Sequence, residues 1–204
     1  MRAVIISGGK ITDYNHIKAQ IKTSDTIICA DSGYDHAVRM GVLPSIVVGD
    51  FDSAGEIPAD VPCLLYPSRK DLTDTEIAVA YAREKGFREF LILAGTGSRA
   101  DHSLTNILLL KSILEQGEKG MLVDEHNKIM ITDSELRLKE PPGSIVSLIP
   151  IADCKGVTTK NLEYPLRNAE MHVGKGLGVS NIMLEDNASV SVVSGIMLVI
   201  VAKD

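Results

Sequence analysis

The sequence predicts an α/β fold: an N-terminal, mostly parallel sheet with flanking helices, followed by a smaller C-terminal all-β domain. Two observations predict it. Short Ile- and Val-rich runs alternate with helical stripes through the first 135 residues, and no convincing helical stripe follows about Ser134. Between the two textures lies the breaker cluster Glu140-Pro141-Pro142-Gly143. The domains are therefore expected at 1–134 and 135–204.

The first domain's strands are read at Ala3–Ile6, Thr26–Ala30, Ile46–Gly49, Phe90–Ala94 and Met121–Val123. Each run is bounded by Gly, Asp or Ser, as expected for strands buried on both faces of a parallel sheet. Helices are expected at Tyr34–Met40, ended by Gly41 and Pro44, and at Thr73–Lys85, ended by Gly86. A third, Leu104–Leu114, is expected to turn Leu104, Ile107, Leu108 and Ile113 or Leu114 toward a core. Strand–helix–strand alternation of this kind makes a doubly wound or related sheet. In the second domain, Ile145–Ile149, Gly156–Thr159, Val179–Leu184, Ser189–Val193 and Ile196–Val201 read as strands, with hairpin turns at Asp186-Asn187 and Ser194-Gly195. At about 70 residues this unit lies near the lower limit for standing alone, so it is expected to pack on the first domain or on another subunit.

Composition narrows the function. Of 204 residues, 45% are hydrophobic and 24% charged, which is ordinary for a soluble protein. A net charge of −6 argues against a nucleic-acid grip, which needs a basic face. The three cysteines (Cys29, Cys63, Cys154) are scattered, with no CxxC, as in a reducing compartment. The apolar run from Ile196 to Ala202 is too short to span a bilayer, and the N-terminus reads as a strand and turn rather than a leader. A cytoplasmic protein is expected.

In open α/β sheets ligands bind outside the carboxyl ends of the strands. Four of the expected strands end in acid there: Asp31-Ser32-Gly33, Gly49-Asp50-Phe51-Asp52-Ser53, the loop Gly95–Asp101, and Asp124. Asp50 and Asp52, two apart, share a side in an extended segment, and carboxylates this close call for a hard cation. Mg²⁺ suits them, because it prefers oxygen ligands and bridges to phosphates. Lys70-Asp71-Leu72-Thr73-Asp74-Thr75-Glu76 reads as a helix start with Asp71 as N-cap and Asp74 and Glu76 in the first turn. The adjacent Ser68-Arg69-Lys70 adds a basic pair able to meet a phosphate chain. Gly95–Ala100 matches G-x-G-x-x-A, a dinucleotide fingerprint, but it follows a late strand. With Arg99 as a clamp it reads as a triphosphate cradle, and His102 falls in the first turn after it. No Walker A, zinc spacing or nucleophile elbow is present.

These motifs, taken in order, resemble those of the thiamine pyrophosphokinase family: Ala30-Asp31-Ser32-Gly33, Gly49-Asp50-Phe51-Asp52-Ser53, Lys70-Asp71-x-x-Asp74, and Gly95-Thr96-Gly97-Ser98-Arg99-x-Asp101-His102. Gly178-Val179-Ser180-Asn181 is similar to that family's G-x-S-N segment. The resemblance runs from about residue 4 to the end. It implies transfer of pyrophosphate from ATP to the hydroxyl of thiamine, giving thiamine diphosphate and AMP, with Mg²⁺ as cofactor. It also implies a homodimer with a β-sandwich second domain and an active site between subunits.

Carried onto this chain, the resemblance marks Asp50, Asp52, Asp71, Asp74 and Arg99 as catalytic, and Asp31, Asp50, Asp52 and Asp74 as metal ligands. It assigns ATP binding to Asp31, Ser32, Lys70, Gly95, Thr96, Gly97, Arg99, Asp101 and His102. Ser180 and Asn181 would hold the thiamine, although a plain turn after Gly178 explains them equally well. Asp71 or Asp74 is either a metal ligand or the base that accepts the alcohol proton. Ser98 stands where the family often has a second glycine, and the chain has no Trp to stack on the vitamin. The competing functions are pyrophosphate transfer to a pterin alcohol, an NAD-dependent oxidoreductase built on the G-x-G-x-x-A loop, and a non-catalytic nucleotide- or vitamin-binding regulator.

Overall fold

The computed structural model describes residues 1–51, 57–66 and 71–203. Asp52 and Lys70, with Ser53, Ser68 and Arg69 of the same motifs, lie outside the described residues. The chain divides into two units, Met1–Glu125 and His126–Asp204. The division thus falls ahead of residue 134, because Asn127–Thr132 is a strand that pairs antiparallel with the last strand of the chain.

Among the described residues the first unit is a six-stranded, wholly parallel sheet. Its strands are β1 (Arg2–Ile6), β2 (Thr26–Ala30), β3 (Ile46–Gly49), β4 (Cys63–Leu65), β5 (Glu89–Leu93) and β6 (Lys119–Val123). They lie in the order β4-β3-β2-β1-β5-β6. The chain winds outward from β1 to β4, then returns to place β5 on the other side of β1. That reversal makes the β1–β5 boundary a topological switch point, where a crevice opens at the carboxyl edge. β4 escapes a sequence reading because it is a three-residue edge strand directly after Pro62, and largely exposed.

Among the described residues four helices flank this sheet: α1 (Tyr14–Lys18), α2 (Gly33–Met40), α3 (Asp74–Glu84) and α4 (Ala100–Glu115). Alternate strand residues serve opposite faces. Val4, Ile6, Ile27, Cys29, Leu91 and Leu93 join Ile17 of α1 and Tyr34, Ala37 and Met40 of α2 in one core. The intervening Ala3, Ile5, Ile28, Phe90 and Ile92 are equally buried, so both faces are covered. α3 starts on a capping box: Thr73 Oγ1 accepts from the Glu76 N–H, and Glu76 accepts from the Thr73 N–H. The N-cap is therefore Thr73, not Asp71. α4 also departs from expectation. It begins at Ala100 and buries Asn106, Leu110 and Ile113, while Leu104 and Leu108 are 58% and 41% exposed. Its apolar residues occur nearly all round the helix, so periodicity alone misassigns the inward stripe.

The second unit is antiparallel throughout: β7 (Asn127–Thr132), β8 (Glu135–Lys139), β9 (Ile145–Lys160), β10 (Ala169–Met171), β11 (Asn181–Ile182), β12 (Asn187–Ser191) and β13 (Ser194–Ala202). The two expected strands Ile145–Ile149 and Gly156–Thr159 are halves of the 16-residue β9. Its first part pairs with β13, from Ala202↔Ile145 to Ser194↔Lys155, and β13 in turn pairs with β7. Its last part pairs with β12, from Ser191↔Thr158 to Ser189↔Lys160, and β12 pairs with β8. At the changeover Gly156 takes a left-handed φ of 69°. One core, with Leu138, Val146, Leu148, Val157, Val190, Met197 and Val199, lies between the two ribbons. Neither expected hairpin forms. At Asp186-Asn187 and at Ser194-Gly195 the chain leaves one set of partners for another rather than doubling back on itself.

The join of α2 to β1 is tight enough to test. A Cβ at Gly33 would lie 1.9 Å from the Ile6 carbonyl oxygen. Gly33→Ala is expected to push α2 off the sheet and cost about 2–4 kcal/mol of stability, measured by denaturant unfolding.

Candidate active site

A cleft of about 810 Å³ opens on the carboxyl edge of the first unit. Each wall comes from a different element. β1 runs into Ser7-Gly8-Gly9-Lys10, β2 into Asp31-Ser32 and β3 into Asp50; β5 runs into Ala94–Ser98, while Thr73 and Asp74 begin α3 and Arg99, His102 and Ser103 begin α4. Three non-glycine residues at these strand ends hold left-handed backbone: Asp31 (φ 46°), Phe51 (φ 62°) and Ala94 (φ 52°). Such strain clusters at ligand sites, where the surrounding contacts over-determine it. At Asp31 the N–H is held by the Val48 carbonyl at 2.8 Å, and its own carbonyl accepts from Tyr34 at 3.1 Å.

The β1 loop is pinned across the switch point. Gly9 N–H donates to the Ala94 carbonyl at 2.8 Å and Lys10 N–H to the Thr96 carbonyl at 3.1 Å. A Cβ at Gly9 would stand 2.2–2.3 Å from those same carbonyl oxygens, so only glycine admits the approach. Behind the β5 loop, Asn106 Nδ2 donates to the Gly95 carbonyl at 2.8 Å, buried, and Thr96 Oγ1 donates to Asp124 at 2.8 Å. Ser103 Oγ accepts from the Gly97 N–H at 3.0 Å. On the other side Ser7 Oγ and Thr75 Oγ1 share a buried hydrogen bond of 2.9 Å, tying β1 to the first turn of α3.

The electrostatics are mixed. Among the described residues the cleft carries Asp31, Asp35, Asp50 and Asp74 against Lys10, Arg39 and Arg99. Arg99 pairs with Asp101 at 2.6 Å, on the surface. That pair pulls the Asp101 carboxyl down to about 2, through the Arg99 hydrogen bond first, and raises Arg99 further. An exposed pair is weak, so an incoming phosphate can take Arg99 over. Among the described residues no three side chains converge into a ready-made metal cage. Mg²⁺ needs less, since one or two carboxylates suffice when phosphates and water complete its shell. The oxygen-only acids Asp31, Asp50 and Asp74 on one cleft fit that demand.

Of the residues singled out in the sequence, the cleft gathers Asp31, Ser32, Asp50, Asp74, Gly95, Thr96, Gly97, Arg99 and His102. Asp71 is exposed ahead of α3, and neither it nor Asp101 is in the described lining. Ser180 and Asn181 belong to the second unit. Ser180 is exposed with a left-handed φ of 57°. Asn181 is 2% exposed and committed to the backbone: its Oδ1 accepts from Tyr164 and Ile182, and its Nδ2 donates to the Tyr164 carbonyl at 2.7 Å.

Comparisons with known proteins show the family. A family model described as the thiamin pyrophosphokinase catalytic domain matches residues 17–122, and one described as its vitamin B1 binding domain matches residues 133–197. The thiamine pyrophosphokinase of Bacillus subtilis is 33% identical over 186 residues, 87% of each chain. The chain belongs to the thiamin pyrophosphokinase family. The crystal structure of a Bacillus subtilis thiamine pyrophosphokinase superposes with a TM-score of 0.91 at 27% identity, covering 100% of both chains. That of the Geobacillus thermodenitrificans thiamin pyrophosphokinase gives 0.86 at 25% identity, covering 100% of this chain and 98% of the other.

Sequence reasoning missed the β1 wall of this cleft. Gly8-Gly9-Lys10 lacks Walker A spacing and looks idle, and no acid marks it. The signal that finds it is the strand order, because the first strand flanks the switch point. It also missed a line of residues on the two helices beside that wall. His36 Nε2 lies 2.6 Å from the Gly9 carbonyl, and Tyr14 Oη lies 2.8 Å from His36 Nδ1. Arg39 donates to Tyr14 Oη at 3.2 Å. Desolvation lowers the His36 pKa and Arg39 adds to the lowering, while the Gly9 carbonyl and Asp35 oppose it.

The sign of that shift gives a test. With its native value below the ordinary 6.5, His36 contributes stability that is complete above 6.5 and is lost as pH falls toward the depressed value. From about pH 7.5 to about pH 5 the melting temperature should therefore fall more steeply in the wild type than in His36→Gln. In the second unit, Asn181→Ala is expected to cost about 1–3 kcal/mol by stranding the Tyr164 backbone groups, whereas Ser180→Ala should leave stability unchanged in the same unfolding measurement.

Proposed function

We propose that the protein transfers a pyrophosphoryl group from ATP to the hydroxyl of thiamine, giving thiamine diphosphate and AMP. The observation that carries this is the switch-point cleft. There carboxylates from three elements face a glycine-rich loop and a helix N-terminus, in a chain of the thiamin pyrophosphokinase family. ATP is highly anionic, and the acids around it outnumber the described cations, so a divalent ion is required for charge balance. We take it to be Mg²⁺, held by Asp31, Asp50, Asp52 and Asp74 directly or through water; bound there, it would neutralise phosphate oxygens as the bridging bond breaks.

The chain's own groups do the positioning. The N-terminal turn of α4 and Arg99 are taken to receive phosphate oxygens, with Lys70, Asp101 and His102 as the further ATP contacts of the same reading. The thiamine hydroxyl oxygen bonds to the β-phosphorus, the bond from that phosphorus to the α-phosphate oxygen breaks, and AMP leaves with the electron pair. Asp74, at the mouth of α3 within the cleft, is better placed than the outlying Asp71 to accept the hydroxyl proton. As in other phosphoryl transfers, alignment and charge compensation account for most of the acceleration. Ser180, on the loop that Asn181 stiffens, is proposed to hydrogen-bond the vitamin, with the two halves of the site completed in a cytoplasmic homodimer.

Mixing the protein with ATP, Mg²⁺ and thiamine should release AMP and thiamine diphosphate in equal amounts. Product with a hydroxymethylpterin and none with thiamine would overturn the acceptor. Asp50→Asn and Asp52→Asn are each expected to lower kcat about a hundredfold or more while the melting temperature holds.

A further inference from the structure

We infer that His36 is a positioning residue: it holds the Gly8-Gly9-Lys10 wall at the spacing that ATP requires. The inference rests on reading the cleft as the ATP site. The strip is gripped on both sides. Toward β5 it is held by the Gly9 and Lys10 N–H groups on the Ala94 and Thr96 carbonyls. Toward α2 the Gly9 carbonyl is held by His36 Nε2 at 2.6 Å. His36 thus links the helix that follows Asp31 to the loop that ends at Arg99, the acidic and the phosphate-binding walls of one cleft.

The direction of each hydrogen bond follows from what the atoms can do. A carbonyl only accepts, so His36 Nε2 carries the proton. A guanidinium only donates, so Arg39 gives to Tyr14 Oη. Tyr14 then donates its hydroxyl proton to His36 Nδ1 at 2.8 Å. The line Arg39→Tyr14→His36→Gly9 runs one way and fixes a neutral imidazole in one tautomer. Arg39 also lies over the Tyr14 ring at 5.9 Å, and the Tyr14 and His36 rings are 5.7 Å apart, so the three side chains brace one another. The lowered His36 pKa agrees with a ring kept neutral.

The test exploits side-chain length. Glutamine places an amide N–H where His36 Nε2 stands; asparagine places it near Nδ1, short of Gly9. His36→Gln should keep the KM for ATP within about twofold of wild type, whereas His36→Asn and His36→Ala should raise it about tenfold, the loss of one net hydrogen bond. The KM for thiamine should stay within about twofold in all three. Tyr14→Phe, which leaves His36 in place without its tautomer-fixing partner, should raise the KM for ATP about threefold. A wild-type KM for ATP in His36→Asn, or a His36→Gln as impaired as His36→Asn, overturns the inference even if melting temperatures fall. If the wild type releases no AMP with thiamine, the functional reading has failed by itself. Calorimetric titration with Mg-ATP then decides the role of His36: weaker binding by the Asn than by the Gln variant supports it, and equal binding overturns it.

Discussion

Two backbone hydrogen bonds at the switch point, from Gly9 and Lys10 to the Ala94 and Thr96 carbonyls, set the geometry on which the rest of the first unit's chemistry depends. They extend the β1–β5 pairing beyond the sheet itself and bend two loops around one crevice. They form only because nothing projects from Gly9. The N-terminus of the helix that starts after Arg99 lines the same cleft into which β2 and β3 deliver Asp31 and Asp50. A parallel sheet with this reversal always offers a crevice there. In this chain the crevice is lined by Asp31, Asp35, Asp50 and Asp74 together with glycines of the β1 and β5 loops.

That lining suits the proposed substrate, which carries several negative charges and arrives with a metal. Backbone N–H groups cannot change charge or swing away, so they make a fixed seat for phosphate. In the proposed reaction, carboxylates around that seat would repel ATP alone and accept it with a cation. Left-handed backbone at Asp31, Phe51 and Ala94 shows that strand ends are bent out of their preferred conformations to achieve this arrangement. The stabilisation that tolerates the strain comes from the sheet behind, where Val4, Ile6, Leu91 and Leu93 are sealed from water.

Much of this was legible in the residues. Among the described residues, five of the six parallel strands show as short β-branched runs with polar endings, and two of the acids at those endings, Asp31 and Asp50, meet in the cleft, whereas Asp101 and Asp124 are not part of its described lining. What was hidden was hidden for definable reasons. β4 is too short and exposed to carry a pattern. Leu104 and Leu108 mimic an inward stripe on a helix that is apolar nearly all round, whereas Leu110 and Ile113 carry the contact. Asp71 looks like a cap, but Thr73 has the reciprocal partner Glu76 in reach. Tyr14, His36 and Arg39 come from two helices and meet only through tertiary packing, so no spacing in the sequence announces them. Asn181 shows the converse: its type and motif suggest a ligand contact, while its burial reveals a brace for the Tyr164 backbone.

The passage of β9 through both ribbons of the second unit has a consequence for how the protein is made. The first unit's parallel strands are all synthesised by Val123, so its sheet can close while translation continues. The second unit has no such early closure. β7 and the first half of β9 wait for β13, which ends at Ala202, and the second half of β9 waits for β12. Pairings this distant in sequence form slowly, and their edges stand open in the meantime. During synthesis the first unit can therefore close while the β unit is still unpaired. A chain that lacks β13 loses the partner of both β7 and β9.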